Sequence, residues 1–206
     1  MLTLGRTIRT LIGVCTLIAL STSGVNAADQ NEDLTIPATG TFTLTTSPGI
    51  VPAWETADLK FSAISPASLT ELSMSATERL EMPVVAKTGS ANALAGGFRF
   101  TNTKTREVVN CFIPTIDTRA RVLDCVTNGA GAVWQTTKFF FAISKIESWT
   151  AFNSNDERTS LLTGIEFKIP DAQTARFFND ELSTTVFTTS VTIATGTLEV
   201  TRRINN

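Results

Sequence analysis

Histidine and tyrosine are both absent from the 206 residues of this chain. Histidine is the side chain whose ordinary pKa lies closest to neutrality, so its absence removes the commonest general base and proton shuttle. Zinc sites built with histidine, Ser-His-Asp triads and Cys-His dyads are therefore excluded. Mechanisms that use Ser, Lys or carboxylate side chains stay open, because they need no imidazole.

Positive charge is scarce as well. The chain carries 17 Lys and Arg against 19 Asp and Glu, and Arg6 and Arg9 lie in a segment that we expect to be removed. The 15 remaining basic residues leave a net charge of −4, which argues against nucleic acid and anionic lipid as main partners. No later apolar run reaches the roughly 20 residues of a membrane-spanning helix, so we predict no membrane span in the mature chain.

The first 27 residues follow the three-part pattern of a secretory signal peptide. Two arginines precede the apolar residues 11–20 (LIGVCTLIAL), and residues 25–27 (VNA) form a small-x-small cleavage site. An uncleaved anchor helix is the alternative, but the apolar segment is shorter than the roughly 20 residues of a span. Cys15 is interpreted as part of the signal peptide. The pattern predicts a secreted or periplasmic bacterial protein.

Cleavage after residue 27 leaves 179 residues, which is enough for one domain with a substantial core. We predict a flexible polar leader at 28–39, a β domain at 40–201 and a C-terminal tail at 202–206. Apolar and polar residues alternate in short runs of the β domain, as expected of strands with one buried face. These runs are 41–45, 58–64, 80–86, 97–101, 163–169 and 186–194. Short strands with intervening turn signals predict a mainly β fold, a single antiparallel β-sandwich, and Pro83 restricts its run to a sheet edge or a strand start.

Other segments depart from this alternation. Residues 138–146 (KFFFAISKI) contain three consecutive phenylalanines, which favours a strand covered on both faces over an exposed aromatic patch for a partner. Residues 170–182 predict a short helix, because Pro and Asp suit a first turn. Its apolar stripe consists of Ala175, Phe178 and Leu182. A shorter helix is expected around 52–57.

The mature chain has two cysteines, Cys111 and Cys125, and an even count in an exported protein suggests a disulfide. Both lie in strand-like runs, 107–114 and 121–127, which we expect to form an antiparallel hairpin. If the cysteines face each other directly, Ile113 faces Leu123 on the same apolar side, and the disulfide points into the core. A redox-active pair is the alternative, but such pairs usually have Cys-x-x-Cys spacing.

Weaker patterns suggest further sites, each with a plainer explanation. Residues 153–157 (NSNDE) offer oxygen ligands for Ca²⁺, but the same residue types are typical of turns. Residues 129–131 (GAG) have neither the lysine nor the spacing of a phosphate-binding loop. Carboxylates for acid–base chemistry would be Asp117, Asp124, Glu147 and Glu166. Tryptophans for stacking on sugars, or for the core, are Trp54, Trp134 and Trp149.

Several short motifs between residues 94 and 200 are similar to those of HtaA-type (haem-transport-associated) secreted bacterial domains. They are Leu94-Ala95-Gly96-Gly97-Phe98-Arg99-Phe100, Ile116-Asp117 followed by Arg121-Val122-Leu123, Thr163-Gly164-Ile165 leading into Ala175, Phe178 and Asn179, and Phe187, Gly196-Thr197 and Val200, with Ser190 where Gly is common. The resemblance implies a β-rich extracellular domain with small helices. It also implies haem binding through Tyr assisted by His, and this sequence has neither residue. Met74 and Met82 are alternative iron ligands in principle.

Three functional hypotheses follow. The first is a non-catalytic exported β-sandwich with a binding or structural role at the cell surface or in the periplasm. The second is a small-ligand-binding domain related to haem-binding secreted domains, without their ligands. The third is a carboxylate-dependent hydrolase. We expect no enzyme, no cofactor and no catalytic or metal residues, and a protein or small-ligand partner at the cell envelope.

Overall fold

The computed structural model describes residues 35–73, 75–128 and 135–204, and the side chains of Asn128 and residues 135–139 are outside that description. The predicted signal peptide with Cys15, the glycine turn at 129–131, Trp134 and Met74 therefore lie outside the described residues. None of the helices in these ranges is long and apolar enough to cross a membrane.

Strands dominate the described chain, with one short helix near each end of the domain. In chain order the elements are β1 (Thr35–Pro37), β2 (Thr39–Thr46), α1 (Ile50–Thr56), β3 (Leu59–Ile64), β4 (Ser68–Leu72), β5 (Thr77–Thr88), β6 (Ala91–Leu94), β7 (Gly97–Asn102), β8 (Val108–Asp117), β9 (Val122–Asn128), β10 (Gln135–Lys145), β11 (Ser148–Ser154), β12 (Glu157–Lys168), α2 (Ala172–Glu181) and β13 (Thr192–Arg203). The predicted mainly β class is confirmed.

The strands form a closed antiparallel barrel, so the prediction of a β-sandwich is wrong. Its ring runs β5, β2, β13, β12, β10, β9, β8, β6 and back to β5. The short strand β6 closes the ring, because it pairs with β5 through Leu94 and Val84 and with β8 through Asn92 and Ile116. Alternation in a sequence reports which face of a strand is buried, but it does not report the pairing partner. The remaining strands β1, β3, β4, β7 and β11 pair outside the ring.

The predicted buried faces are confirmed, and they fill one connected apolar core. Fully or nearly fully buried are Phe42, Leu44, Leu59, Phe61, Phe98, Phe100, Ile165, Phe167 and Ile169. Phe140 and Phe141 are both buried although they are consecutive, as expected of a strand covered on both faces. The exposed aromatic patch is therefore wrong for these two residues.

Both predicted helices are present, and α2 is the better defined of the two. Asp171 caps it, since its side chain accepts a 2.7 Å hydrogen bond from the Thr174 N–H. Such a cap satisfies one of the free N–H groups of the first turn. The predicted stripe of α2 is buried, and its central residue Phe178 packs against Phe140 and Phe187, with ring centroids 4.7 and 4.8 Å apart. The stripe therefore fastens α2 onto the aromatic part of the core.

Several predicted boundaries need correction. Residues 35–37 and 39 belong to strands rather than to a flexible leader, because β1 pairs with β5 and β2 begins at Thr39. At the other end β13 extends to Arg203, since Arg202 and Arg203 pair with β12, so the tail does not begin at 202. This last strand begins at Thr192 rather than near 186, and Val191 is exposed.

Pro83 lies inside β5 opposite Thr41 of β2, so its assignment to an edge or a strand start is wrong. On the other side of β5 the pairing with β4 ends at Glu81 and the pairing with β6 begins at Val84. Proline supplies no N–H to a ladder. Its position in this gap between two partners explains why an interior strand tolerates it.

Cys111 and Cys125 form the predicted disulfide, with their Cα atoms 5.1 Å apart and both side chains buried. Direct opposition of the two cysteines is wrong, because Cys111 pairs with Thr127. A register shift between Phe112 and Thr115 accounts for the difference, as a bulge inserts unpaired residues into one strand. Ile113 lies in this bulge with a positive φ of 46° and is 64% exposed, so its predicted place in the core is wrong.

Candidate anion-binding cleft

A narrow cleft lies at one end of the barrel, between the walls formed by β5 and β6 and by β12 and β13. Its lining consists of Lys87, Asn92, Thr118, Trp149, Arg158, Ser160, Leu162, Leu198, Val200 and Arg202. The strand registers explain this lining, because Leu162 pairs with Leu198 and Ser160 with Val200 in one ladder. Side chains of directly opposed residues share a face. The cleft therefore has an apolar floor, and its charged residues lie one step further along the same strands.

Three basic side chains converge at this end. Arg158 and Arg202 are directly opposite each other in the β12–β13 ladder, and Lys87 comes from β5. Within the described part of the chain, none of the three makes a side-chain hydrogen bond or an ion pair. Like charges that face each other across a ladder are destabilising. An anion in the cleft would relieve this repulsion.

The pKa of Lys87 is lowered from its ordinary value of 10.5. Burial is the largest cause, and the positive charge of Arg202 lowers the pKa further. Asp117 acts in the opposite direction, and Arg158 lowers the pKa by a smaller amount. Both burial and like charge disfavour a charged ammonium group. The charged form of Lys87 is thus disfavoured first by burial and then by the neighbouring Arg202.

Asn92 contributes an unusual polar group to the cleft. It is only 2% exposed, and its Nδ2 donates to the carbonyl oxygens of Ser90 and Ile116 at 3.2 and 3.4 Å. These two acceptors determine the orientation of the amide, because a flipped amide would place its oxygen against carbonyl oxygens. The Oδ1 atom is buried and has no hydrogen-bond partner. A buried acceptor without a donor costs free energy, so a hydrogen bond donated to this atom by a bound group would be favourable.

The cleft is small and its mouth carries an aromatic side chain. Its volume is about 40 Å³, and one water needs at least about 10–15 Å³, so there is room for about three waters or one small oxyanion. Trp149 on β11 pairs with Leu162 and is 71% exposed. A small head group can therefore enter the cleft while the rest of a ligand contacts the indole ring. Trp54, in contrast, is buried against Phe61 and Phe100, so these two tryptophans do not converge.

The four carboxylates proposed for acid–base chemistry lie in ordinary structural roles where they are described. Asp117 accepts hydrogen bonds from the Ser90 hydroxyl at 2.7 Å and from the N–H groups of Arg119 and Ala120, both at 2.9 Å. Partial burial raises the pKa of Asp117, but these hydrogen bonds outweigh burial and hold its pKa below the usual value. This carboxylate closes the β8–β9 turn. Asp124 of β9 is paired with Thr115 in the strand ladder.

Glu147 and Glu166 are brought together by Lys145. The Lys145 Nζ donates to Glu147 Oε1 at 2.7 Å and lies 3.9 Å from Glu166 Oε1. The hydrogen bond and the charge of Lys145 lower the pKa of Glu147. The acid of a glycosidase instead needs a raised pKa. This cluster is therefore an exposed ion pair and not an acid–base pair.

The remaining sequence candidates do not assemble into a site. Residues 153–157 form the tight connection between β11 and β12, with Asn155 at a φ of 54°. In the described ranges, no group of three or more His, Cys, Asp or Glu residues is placed to hold a metal ion. Met82 is completely buried in the barrel core, opposite Phe42, and is not accessible as an iron ligand.

The motifs that resemble HtaA-type domains have structural explanations. Gly96 has a φ of 83°, and a Cβ there would lie 2.5 Å from the Ile64 carbonyl oxygen, so the turn between β6 and β7 requires glycine. Asn179 at the end of α2 donates from Nδ2 to the Phe187 carbonyl oxygen at 3.0 Å and accepts from the Phe187 N–H at 3.1 Å. This pair of hydrogen bonds holds the loop that follows α2.

The basic residues of the cleft and Asn92 were not indicated as site residues by the sequence, whereas Trp149 was a candidate for stacking on a ligand. Arg158, Ser160 and Leu162 alternate along one strand, and Leu198, Val200 and Arg202 along another. This period-two placement of an arginine at the end of an apolar face is a signal that would have indicated a charged barrel end. The contributions of Lys87 and Asn92 depend on the closure by β6, and no local pattern reports that closure.

The closed antiparallel barrel with outer strands and two small helices defines a mainly β class of fold. No protein-family model and no curated protein sequence matches the chain. Among solved structures, the crystal structure of the haem-binding protein HtaB from Corynebacterium glutamicum matches with a TM-score of 0.50 and 14% sequence identity, over 82% of this chain and 96% of that chain. The resemblance predicted from the short motifs is therefore confirmed as a likeness of fold.

Proposed function

We propose that the mature chain is an exported, non-catalytic domain that binds a small ligand by its anionic group, at the cell surface or in the periplasm. The observation that carries the proposal is the cluster of Lys87, Arg158 and Arg202, which are unpaired within the described residues and line one cavity. Gathering three cations around one cleft costs free energy, because they repel one another and Lys87 is partly desolvated, so a bound anion would be stabilising.

The fold likeness supports a small ligand over a purely structural role. The neighbour HtaB is a haem-binding protein, and a barrel end is a common place for a ligand site. The usual haem ligands Tyr and His are absent from this chain, and Met82 is buried. We therefore propose recognition of an anionic group without ligation of an iron atom. Mixing the purified protein with haemin should produce no shift of the Soret band.

The non-catalytic part of the proposal is supported by the carboxylates. Glu147 and Glu166 share Lys145, and Asp117 holds a turn. None of these three lines the basic cleft. The ligand would therefore be held next to cations, which bind an anion but do not provide an acid–base pair.

Isothermal titration calorimetry at low ionic strength tests the proposal with phosphate, sulfate and citrate as probes. Arg202→Gln removes one cation of the cleft, and we expect it to weaken binding of the best probe at least about tenfold, as expected for a charged hydrogen bond. Arg203→Gln is the matched control, since it makes the same charge change at the next position of β13, on the opposite strand face.

Equal affinities of the Arg202→Gln and Arg203→Gln proteins would contradict the proposal, because any remaining binding would then reflect net charge alone. The same holds if none of the three anions binds the wild-type protein. Salt provides a second readout: affinity should fall as ionic strength rises, since the cleft cations are partly exposed.

A further inference from the structure

The unpartnered oxygen of Asn92 restricts which anion the cleft can take, and this inference rests on the proposed function above. A fully deprotonated anion would bring only acceptor oxygens to a wall that already contains a buried acceptor. The Asn92 amide cannot rotate to present its Nδ2 to the anion, because Nδ2 donates to the carbonyl oxygens of Ser90 and Ile116. A bound group that combines negative charge with one O–H donor would satisfy both the cations and this oxygen.

Among small oxyanions, phosphate meets both requirements and sulfate does not. Both are tetrahedral, but sulfate has no proton near neutral pH, whereas hydrogen phosphate keeps one, and a phosphate monoester regains one near its second pKa of roughly 6. The cavity of about 40 Å³ holds about one such group. The three cations can compensate the charge of the phosphate group, and the Asn92 oxygen can accept from its O–H.

We propose that the cleft binds a phosphate group that retains a proton, and that Asn92 Oδ1 selects this group over sulfate by accepting the phosphate O–H. Lys87, Arg158 and Arg202 supply the attraction that both ions share. Asn92 supplies the difference between them. The organic part of a phosphate monoester would leave through the mouth and contact the exposed Trp149.

The expected selectivity is at least about tenfold in dissociation constant. Sulfate would leave the buried oxygen of Asn92 without a donor, and the desolvation cost of that oxygen would then not be compensated. A site of this kind discriminates strongly against such a ligand. Charge and shape contribute little to the difference, since hydrogen phosphate and sulfate near pH 7.5 are both doubly charged and tetrahedral.

Calorimetric titration of the full mature chain with inorganic phosphate and sulfate at pH 7.5 tests the inference. Wild-type protein should prefer phosphate at least about tenfold. Asn92→Leu removes the acceptor, and we expect it to bring the phosphate-to-sulfate ratio close to one. Monofluorophosphate keeps the charge and shape of hydrogen phosphate but lacks its O–H, so wild-type protein should bind it about as weakly as sulfate. This arm needs no variant and remains informative if Asn92→Leu does not fold.

The outcomes separate the inference from the proposed function. Phosphate, sulfate and monofluorophosphate could bind equally and still depend on Arg202. That result would overturn selection by Asn92 but leave the anion site, and a water would then donate to the amide oxygen. Binding of citrate but not of phosphate would likewise overturn selection by Asn92 and leave an anion site. If no anion binds, the inference and the proposed function both fail.

A further pair of probes identifies the source of the phosphate group. Glycerol 3-phosphate at pH 6 represents a soluble monoester, and phosphatidylcholine vesicles containing phosphatidic acid represent a lipid head group. We expect the soluble monoester to bind and the vesicles not to, because the protein surface is net negative and the cleft is narrow. Binding of the vesicles through Arg202 would support the same phosphate chemistry and assign it to a lipid.

Discussion

Glu78 is the titratable group from which we expect the clearest effect on stability. It lies on β5 directly opposite Glu71 of β4, and its Oε2 is buried without a hydrogen-bond partner. Burial raises its pKa most, the charges of Glu71 and Glu55 raise it further, and Lys60 acts in the opposite direction. The result is a pKa of about 7 in place of the ordinary 4.5.

The sign of the linkage follows from this raised pKa. Between pH 4.5 and about 7 the folded state binds more protons at Glu78 than the unfolded state, so its contribution to stability is fully present below 4.5 and is lost as the pH rises through about 7. A shift from 4.5 to about 7 corresponds to about 3.4 kcal/mol at about 1.4 kcal/mol per unit. Because Glu78 is only partly buried, solvent screening reduces this to about 1.5 kcal/mol.

Replacing Glu78 with Gln removes the ionisation and keeps the shape. At pH 8 we expect Glu78→Gln to be more stable than wild type by about 1.5 kcal/mol, or about 3–6 °C in Tm for a domain of this size. At pH 4 the two proteins should differ little, because Glu78 is then protonated. Thermal unfolding followed by circular dichroism between pH 4 and pH 8 measures both values.

Glu199→Gln is the control, since Glu199 is an exposed glutamate on β13. It should leave the difference between pH 4 and pH 8 unchanged. If Glu78→Gln and Glu199→Gln change Tm equally at every pH, Glu78 has an ordinary pKa and the argument from its buried, unpaired oxygen is wrong.

Further predictions concern the cleft, the disulfide and the aromatic core. Lys87→Met should weaken phosphate binding in calorimetry and yet raise Tm, because it removes a partly buried cation that is repelled by two arginines; a lower Tm would show that the lysine stabilises the fold. Replacing Cys111 and Cys125 together by Ser should cost about 3 kcal/mol in urea unfolding, and an unchanged midpoint would mean that the pair does not form a disulfide in solution. Phe178→Ala removes a fully buried ring and should cost about 3–5 kcal/mol in the same assay, whereas a loss below about 1 kcal/mol would contradict its place in the core.

Local patterns predicted much of the secondary structure, for reasons that particular residues make clear. Phe42 and Leu44 alternate with threonines, and a strand puts such residues on one face whatever its partner is. Asp171 caps α2 because its carboxylate can accept a hydrogen bond from the N–H three residues later. This interaction depends only on residues that are close in sequence. The Cys111–Cys125 disulfide joins two neighbouring strands of a hairpin, so it too follows from nearby sequence.

The register of the hairpin and the closure of the barrel depend on strand pairing, which local sequence patterns do not contain. The bulge at Ile113 shifted the register of the hairpin, and four residues of β6 closed a barrel that alternation alone predicted as a sandwich. A bulge depends on how both strands continue into their other neighbours. A strand of four residues is too short for its alternation to stand out from the surrounding turns.

By itself the sequence determined the chemistry that this protein does not have, since a chain without histidine or tyrosine lacks those groups in any fold. It also determined which strand faces are apolar. Only the tertiary structure decided that Lys87, Asn92, Arg158 and Arg202 meet at one end of the barrel. These residues are far apart along the chain, and their convergence depends on strand order and register, which arise from packing of the whole core rather than from any local preference.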